Sequence, residues 1–192
     1  MRGMKLLNLK SFKPCLFEMK ILGIIGPGIS VGGILISYLI HRDWWGITEN
    51  AISDLGRIGL PYNWVMNISL ILGSVCLIIY GAWRFKKSKD IGWLLYMLGS
   101  VFLGLIGIFP EGTNLHYEVS WGFFVSMFLA ILLLSISFLI RGNKLGIVGL
   151  MLFLLGVPLA LWSLKKFEGV AVAETISIVV FLIWHYLMLG DA

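Results

Sequence analysis

The chain has 192 residues, 59% hydrophobic and 13% charged, with a formal net charge of +5 and a mean hydropathy of +0.94. A soluble domain is about 45–50% apolar and about a quarter charged, and a chain this short has too much surface to hide such an excess in a core. Composition therefore excludes an ordinary water-soluble fold and points to one domain solvated by lipid; without a basic stripe interleaved with aromatics it also argues against nucleic acid as a partner.

Residues 1–20 are basic with scattered apolar side chains. The apolar run that follows continues to about Ile40, too long for the core of a secretion signal, and no small-residue cleavage site comes after it. The segment reads as a retained tail lying on the membrane surface, with 21–192 as the membrane domain.

Six stretches approach the roughly 20 apolar residues that a spanning helix needs: Ile21–His41, Asn63–Phe85, Ile91–Phe109, Val119–Ile140, Leu145–Leu164 and Val170–Leu189. The links "KKSKD", "RGNK" and "KKFEG" are short, which favours antiparallel neighbours. The expected fold is all-α: a polytopic membrane protein, a six-transmembrane-helix up-down bundle with a short amphipathic helix in the first outer loop. Gly28 and Gly32 form a GxxxG pair, Gly33 and Ser37 repeat it, and Ser100 and Gly104 do the same in the third span. Packing within the chain is the expected use of these pairs, with dimerisation the alternative. Pro27 and Pro158 are expected to kink their helices, and Asn67 and Ser74 to hydrogen-bond between helices. Cys15 and Cys76 offer neither a ligand spacing nor an evident pairing.

Lysine and arginine orient the bundle. With the N-terminus inside, Arg2, Lys5, Lys10, Lys13, Lys20, Arg84, Lys86, Lys87, Lys89, Arg141 and Lys144 fall on the cytoplasmic side, and only Arg42, Arg57, Lys165 and Lys166 fall outside. Both termini are then cytoplasmic, in the cell membrane. Trp44, Trp45, Tyr62, Trp64, Trp121 and Trp162 cluster near outer helix ends, as an interfacial belt would.

This orientation gathers the polar segments on the outer face. In "NAISDLGRIGLP", Asn50, Ser53, Asp54 and Arg57 recur at i, i+3, i+4 and i+7, opposite Ile47, Ala51, Ile52, Leu55 and Ile58. That spacing predicts a two-faced helix, with Arg57 placed to pair with Asp54 or a lipid phosphate. "FPEGTNLHYE" carries Glu111, His116 and Glu118, types that bind metal or move protons, but without a helix ligand motif; no metal or cofactor is expected. In the sixth span Glu174, Ser177, Phe181 and His185 share a face. Glu174 lies about one turn from the outer end; His185, about 16 Å deeper, reads as part of an inner aromatic belt with Trp184 and Tyr186. An ionisable residue inside a membrane helix is a functional candidate, so Glu174 joins the outer set.

"ENAISDLG" before the second span and "GIFPEGTNLHYEVSWGFFV" between the third and fourth resemble the prokaryotic membrane family DUF998, over roughly residues 20–190. The layout looks more distantly like the six-span Frag1/DRAM/Sfk1 family, which is associated with lipid organisation. The resemblance singles out Ser53, Asp54, Gly56, Phe109, Pro110, Glu111 and His116, and implies no reaction. Seven-span ceramidase-like zinc amidases use three histidines around the metal, two on one late helix; here His185 stands alone on its helix.

These residues lead to three functional expectations. The first is a lipid-binding or lipid-handling membrane protein with a polar outer cap, in which Asn50, Arg57 and Glu174 contact the ligand. The second is a lipid hydrolase or transferase in which Asp54 and Glu111 are acid–base or ligand groups, His116 a base and Ser53 a nucleophile. The third is a small-solute transporter. The oligomeric state is not readable.

Overall fold

The computed structural model describes residues 16–190. It is all-helical: α1 Leu16–His41, a 3-10 helix Ile52–Gly56, α2 Trp64–Ser88, α3 Gly92–Ile108, α4 His116–Ile140, α5 Leu145–Lys166 and α6 Ala171–Gly190. Five of the α-helices are long and apolar enough to cross a membrane; α3, equally apolar, has 17 residues. That is about 25 Å of helix, the short limit for a span. Most of the expected surface tail lies outside the described residues, and helix is already present at Leu16 rather than starting at Ile21.

Successive helices run antiparallel, and small residues set the closest approaches. Gly33 meets Ser69 and Gly73 meets Ser30 between α1 and α2; Gly107 meets Asn67 between α3 and α2. Gly92 and Gly99 meet Leu134 and Met127 between α3 and α4, Gly149 meets Ser135 between α5 and α4, and Gly156 meets Val180 between α5 and α6. Where lipid supplies no hydrophobic drive, such close backbone contact is what holds helices together. Gly28 and Gly32 are not part of it: a Cβ at either would find nothing within 4 Å. The packing face of α1 is instead Gly26, Ser30, Gly33 and Ser37, so the GxxxG pair read from the sequence is turned away from the bundle.

The α2–α3 and α4–α5 connectors share one end of the bundle. Buried Asp90 bonds the N–H of Gly92 at 3.2 Å and accepts from Arg141, across from α4, at 3.2 Å. Further in, His185 is not an interfacial belt residue. It is 3% exposed; its Nε2 lies 2.7 Å from the Gly23 carbonyl and its Nδ1 3.0 Å from the Tyr96 hydroxyl. It joins α1, α3 and α6 at a point where an unpaired imidazole would be costly. Arg84, counted by charge as an inner-side residue, is also buried, donating to Tyr80 and to the Met188 carbonyl and lying 4.6 Å from the Trp93 ring centroid.

Candidate functional site

The other three connectors, 42–63, 109–115 and 167–170, meet at the opposite end. The first does not form a two-faced helix. Only Ile52–Gly56 is helical, as a 3-10 turn, and all five residues are buried. Leu55 and Ile52 enter the core, while the Asp54 carboxylate takes the Ala51 N–H at 2.8 Å and the Arg57 guanidinium at 2.5 Å. A carboxylate claiming the N–H three residues back tightens the turn and leaves no polar stripe facing water.

This connector is tied to α2, to α6 and to the other two connectors. The Gly169 N–H donates to the Thr48 carbonyl at 2.8 Å and the Ala171 N–H to the Asn50 carbonyl at 2.9 Å. Gly169 approaches so closely that a Cβ there would collide with the Asn50 backbone. The Ile52 N–H donates to Glu174 on α6 at 2.6 Å. Asn67 of α2 reaches the Gly56 carbonyl at 2.9 Å, and the Ile58 N–H donates to the Glu111 carbonyl at 2.9 Å. At Gly112 the chain turns toward α4 through φ +94°, a conformation natural only to glycine.

His116 opens α4. Its Nδ1 lies 2.9 Å from the Phe109 carbonyl, which can only accept, so Nδ1 carries the proton. Nε2 then faces two groups: the Ser120 hydroxyl at 3.3 Å and the Glu111 carboxylate at 3.1 Å. His116 is buried, and the Glu111 side chain is one-third exposed.

Beneath this junction lies a cavity of about 550 Å³ between α4, α5 and α6. Its mouth carries Ser53, Glu111, His116, Ser120, Glu174 and Ser177; its walls are Phe124, Phe128, Phe153, Val157 and Leu161 among other apolar residues. From Leu164 to Phe153, both on the wall, α5 rises about 16 Å, close to half of a hydrocarbon core about 30 Å thick. The fully buried positions of α5 are all small, Gly146, Gly149, Gly156, Ala160 and Ser163, which leaves room beside α4 and α6.

The structure divides the residues singled out from the sequence. Ser53, Glu111, His116 and Glu174 line the cavity. Asp54 is engaged by Ala51 and Arg57, Arg57 by Asp54, and the Asn50 side chain accepts the Gly46 N–H at 2.9 Å; none of the three lines it. Ser120 was missed, although its i+4 spacing from His116 places both on one helix face. Ser177 lines the cavity, but its hydroxyl donates to the Ala173 carbonyl at 2.8 Å. Among the described residues no three His, Cys, Asp or Glu side chains converge as metal ligands would.

The sequence profile of a protein family of unknown function, DUF998, matches residues 24–190. No curated protein and no solved structure matches the chain. With nearly the whole helical bundle inside the matched region, the chain belongs to the DUF998 family of proteins of unknown function.

Proposed function

We propose that this is a six-span protein of the cell membrane, with both termini cytoplasmic, that holds a membrane lipid in the cavity between α4, α5 and α6. The headgroup sits at the Glu111–His116–Glu174 mouth and one acyl chain runs down the phenylalanine-lined wall. The observation that carries this reading is the division of the cavity: polar groups at one end, apolar side chains over a depth of about one leaflet. Exposed Trp44, Trp64, Trp121 and Trp162 near the same end fit an interfacial level there.

The mouth is rich in acceptors. The carboxylates of Glu111 and Glu174 face it, whereas Arg57, expected to meet a phosphate, is paired with Asp54. A headgroup that donates hydrogen bonds, an amine or a polyol, suits this set better than a bare phosphate. A transporter reading draws no support, because below the mouth the walls are apolar.

Native mass spectrometry of the protein released from nanodiscs of mixed phosphatidylethanolamine and phosphatidylglycerol tests the proposal. One retained lipid per chain, enriched in the amine headgroup and lost in Ala160→Phe, is the expected result. Release of a lipid-free chain, or equal retention by Ala160→Phe, refutes it.

A further inference from the structure

The cavity mouth holds three serines, and their surroundings differ. The hydroxyl of Ser177 is spent on the Ala173 carbonyl. Ser53 lines the mouth with its hydroxyl making no hydrogen bond to a described residue. Ser120 alone faces an imidazole nitrogen, Nε2 of His116 at 3.3 Å; that nitrogen also meets the Glu111 carboxylate at 3.1 Å, while Nδ1 is held by the Phe109 carbonyl. A hydroxyl beside an imidazole oriented by a carbonyl and paired with a carboxylate has the parts of an activated nucleophile, and such contacts are commonly loose until substrate binds.

We propose that Ser120 and His116 form an acyl-transfer centre acting on the carboxylic ester of the lipid held in this cavity. The proposal rests on the lipid-binding reading and adds the reaction. Ser120 lies on the first turns of α4, below the headgroup groups and above Phe124 and Phe128, where a lipid with its chain on that wall presents its ester carbonyl. Glu111, 3.1 Å from Nε2, is a positioning residue: its carboxylate stabilises the imidazolium that forms when His116 accepts a proton. The Ser53 hydroxyl is the donor available to the developing oxyanion.

The steps balance with water as the second reactant. The Ser120 oxygen bonds the acyl carbon as its proton passes to Nε2 of His116. The ester C–O bond breaks, and that proton goes to the departing lipid alcohol, leaving the acyl group on Ser120. Water then attacks the acyl carbon and gives a proton to His116; the fatty acid leaves, and Ser120 takes the proton back. The sum is ester plus water to acid plus alcohol.

The experiment uses the full-length protein in nanodiscs, treated with a fluorophosphonate that captures activated serines, with bound lipid measured in parallel by native mass spectrometry. The expected result is labelling at Ser120, absent in Ser120→Ala, which still retains lipid, and slowed about 100-fold or more in His116→Gln. Labelling in Ser53→Ala is slowed but stays at Ser120, and Glu111→Asp restores part of the rate lost in Glu111→Ala. Vesicles of ester-linked lipid release fatty acid; the ether-linked analogue releases none. Absence of labelling, labelling at another serine, or labelling independent of His116, with lipid still bound, overturns the acyl-transfer proposal and leaves lipid binding standing. A wild-type chain that retains no lipid overturns both.

Discussion

The carboxylate of Glu174, in the first turn of α6, accepts the backbone N–H of Ile52, 122 positions earlier in the chain, at 2.6 Å. One bond thus fastens the polar turn of the first connector to the last helix, and both groups sit over the cavity between α4, α5 and α6. The residue the sequence marked as a ligand group is also what keeps the mouth in shape.

Replacing this acceptor separates its two roles. Glu174→Ala leaves a buried N–H unpaired and is expected to cost about 1–3 kcal/mol, whereas Glu174→Gln keeps an acceptor oxygen and most of the stability. Thermal unfolding in detergent measures both, with a clearly lower Tm for alanine alone.

Asp54 is predicted to be structural. Asp54→Ala removes the acceptor for the Ala51 N–H and the partner of Arg57, and is expected to lower stability by about 0.5–2 kcal/mol while the folded fraction still binds lipid. Loss of bound lipid with unchanged Tm would return Asp54 to the site.

Gly169 tests the fit between the first and last connectors. Gly169→Ala forces a methyl group against the Asn50 backbone, and an expected cost of about 1–3 kcal/mol follows from the shift needed to admit it. Equal Tm values for Gly169→Ala and wild type would contradict the close approach.

Topology is checked by accessibility. With Cys15 and Cys76 replaced by serine, Asn114→Cys is expected to react with an impermeant maleimide added to whole cells, and Lys144→Cys only after permeabilisation. The reverse pattern would invert the orientation taken from the basic residues.

The helices and their up-down order were legible in the sequence because a hydrophobic run of spanning length has few other uses. The site was legible only in part. The i, i+3, i+4, i+7 spacing of Asn50, Ser53, Asp54 and Arg57 is that of a surface helix, yet only one 3-10 turn forms: Asp54 caps its start at Ala51 and it ends at Gly56, so Asn50 and Arg57 fall outside it. Gly28 and Gly32 satisfy a packing motif but face outward, since the motif does not say which face of α1 turns inward. Glu111 and His116, five apart in a loop, gave no recognisable spacing; their meeting depends on the turn at Gly112. The cavity was invisible because it arises from small residues on α5, which in the sequence look like ordinary packing positions.

The central claim is that a lipid chain occupies this cavity, and crosslinking from a lipid carrying a photoactivatable group at the end of its acyl chain tests it most directly. Irradiation in nanodiscs, followed by peptide mapping, is predicted to place the crosslink on Phe128, Phe153 or their neighbours on the cavity wall, with Ala160→Phe abolishing it. Crosslinks spread evenly over the lipid-facing residues, unchanged in Ala160→Phe, would contradict it.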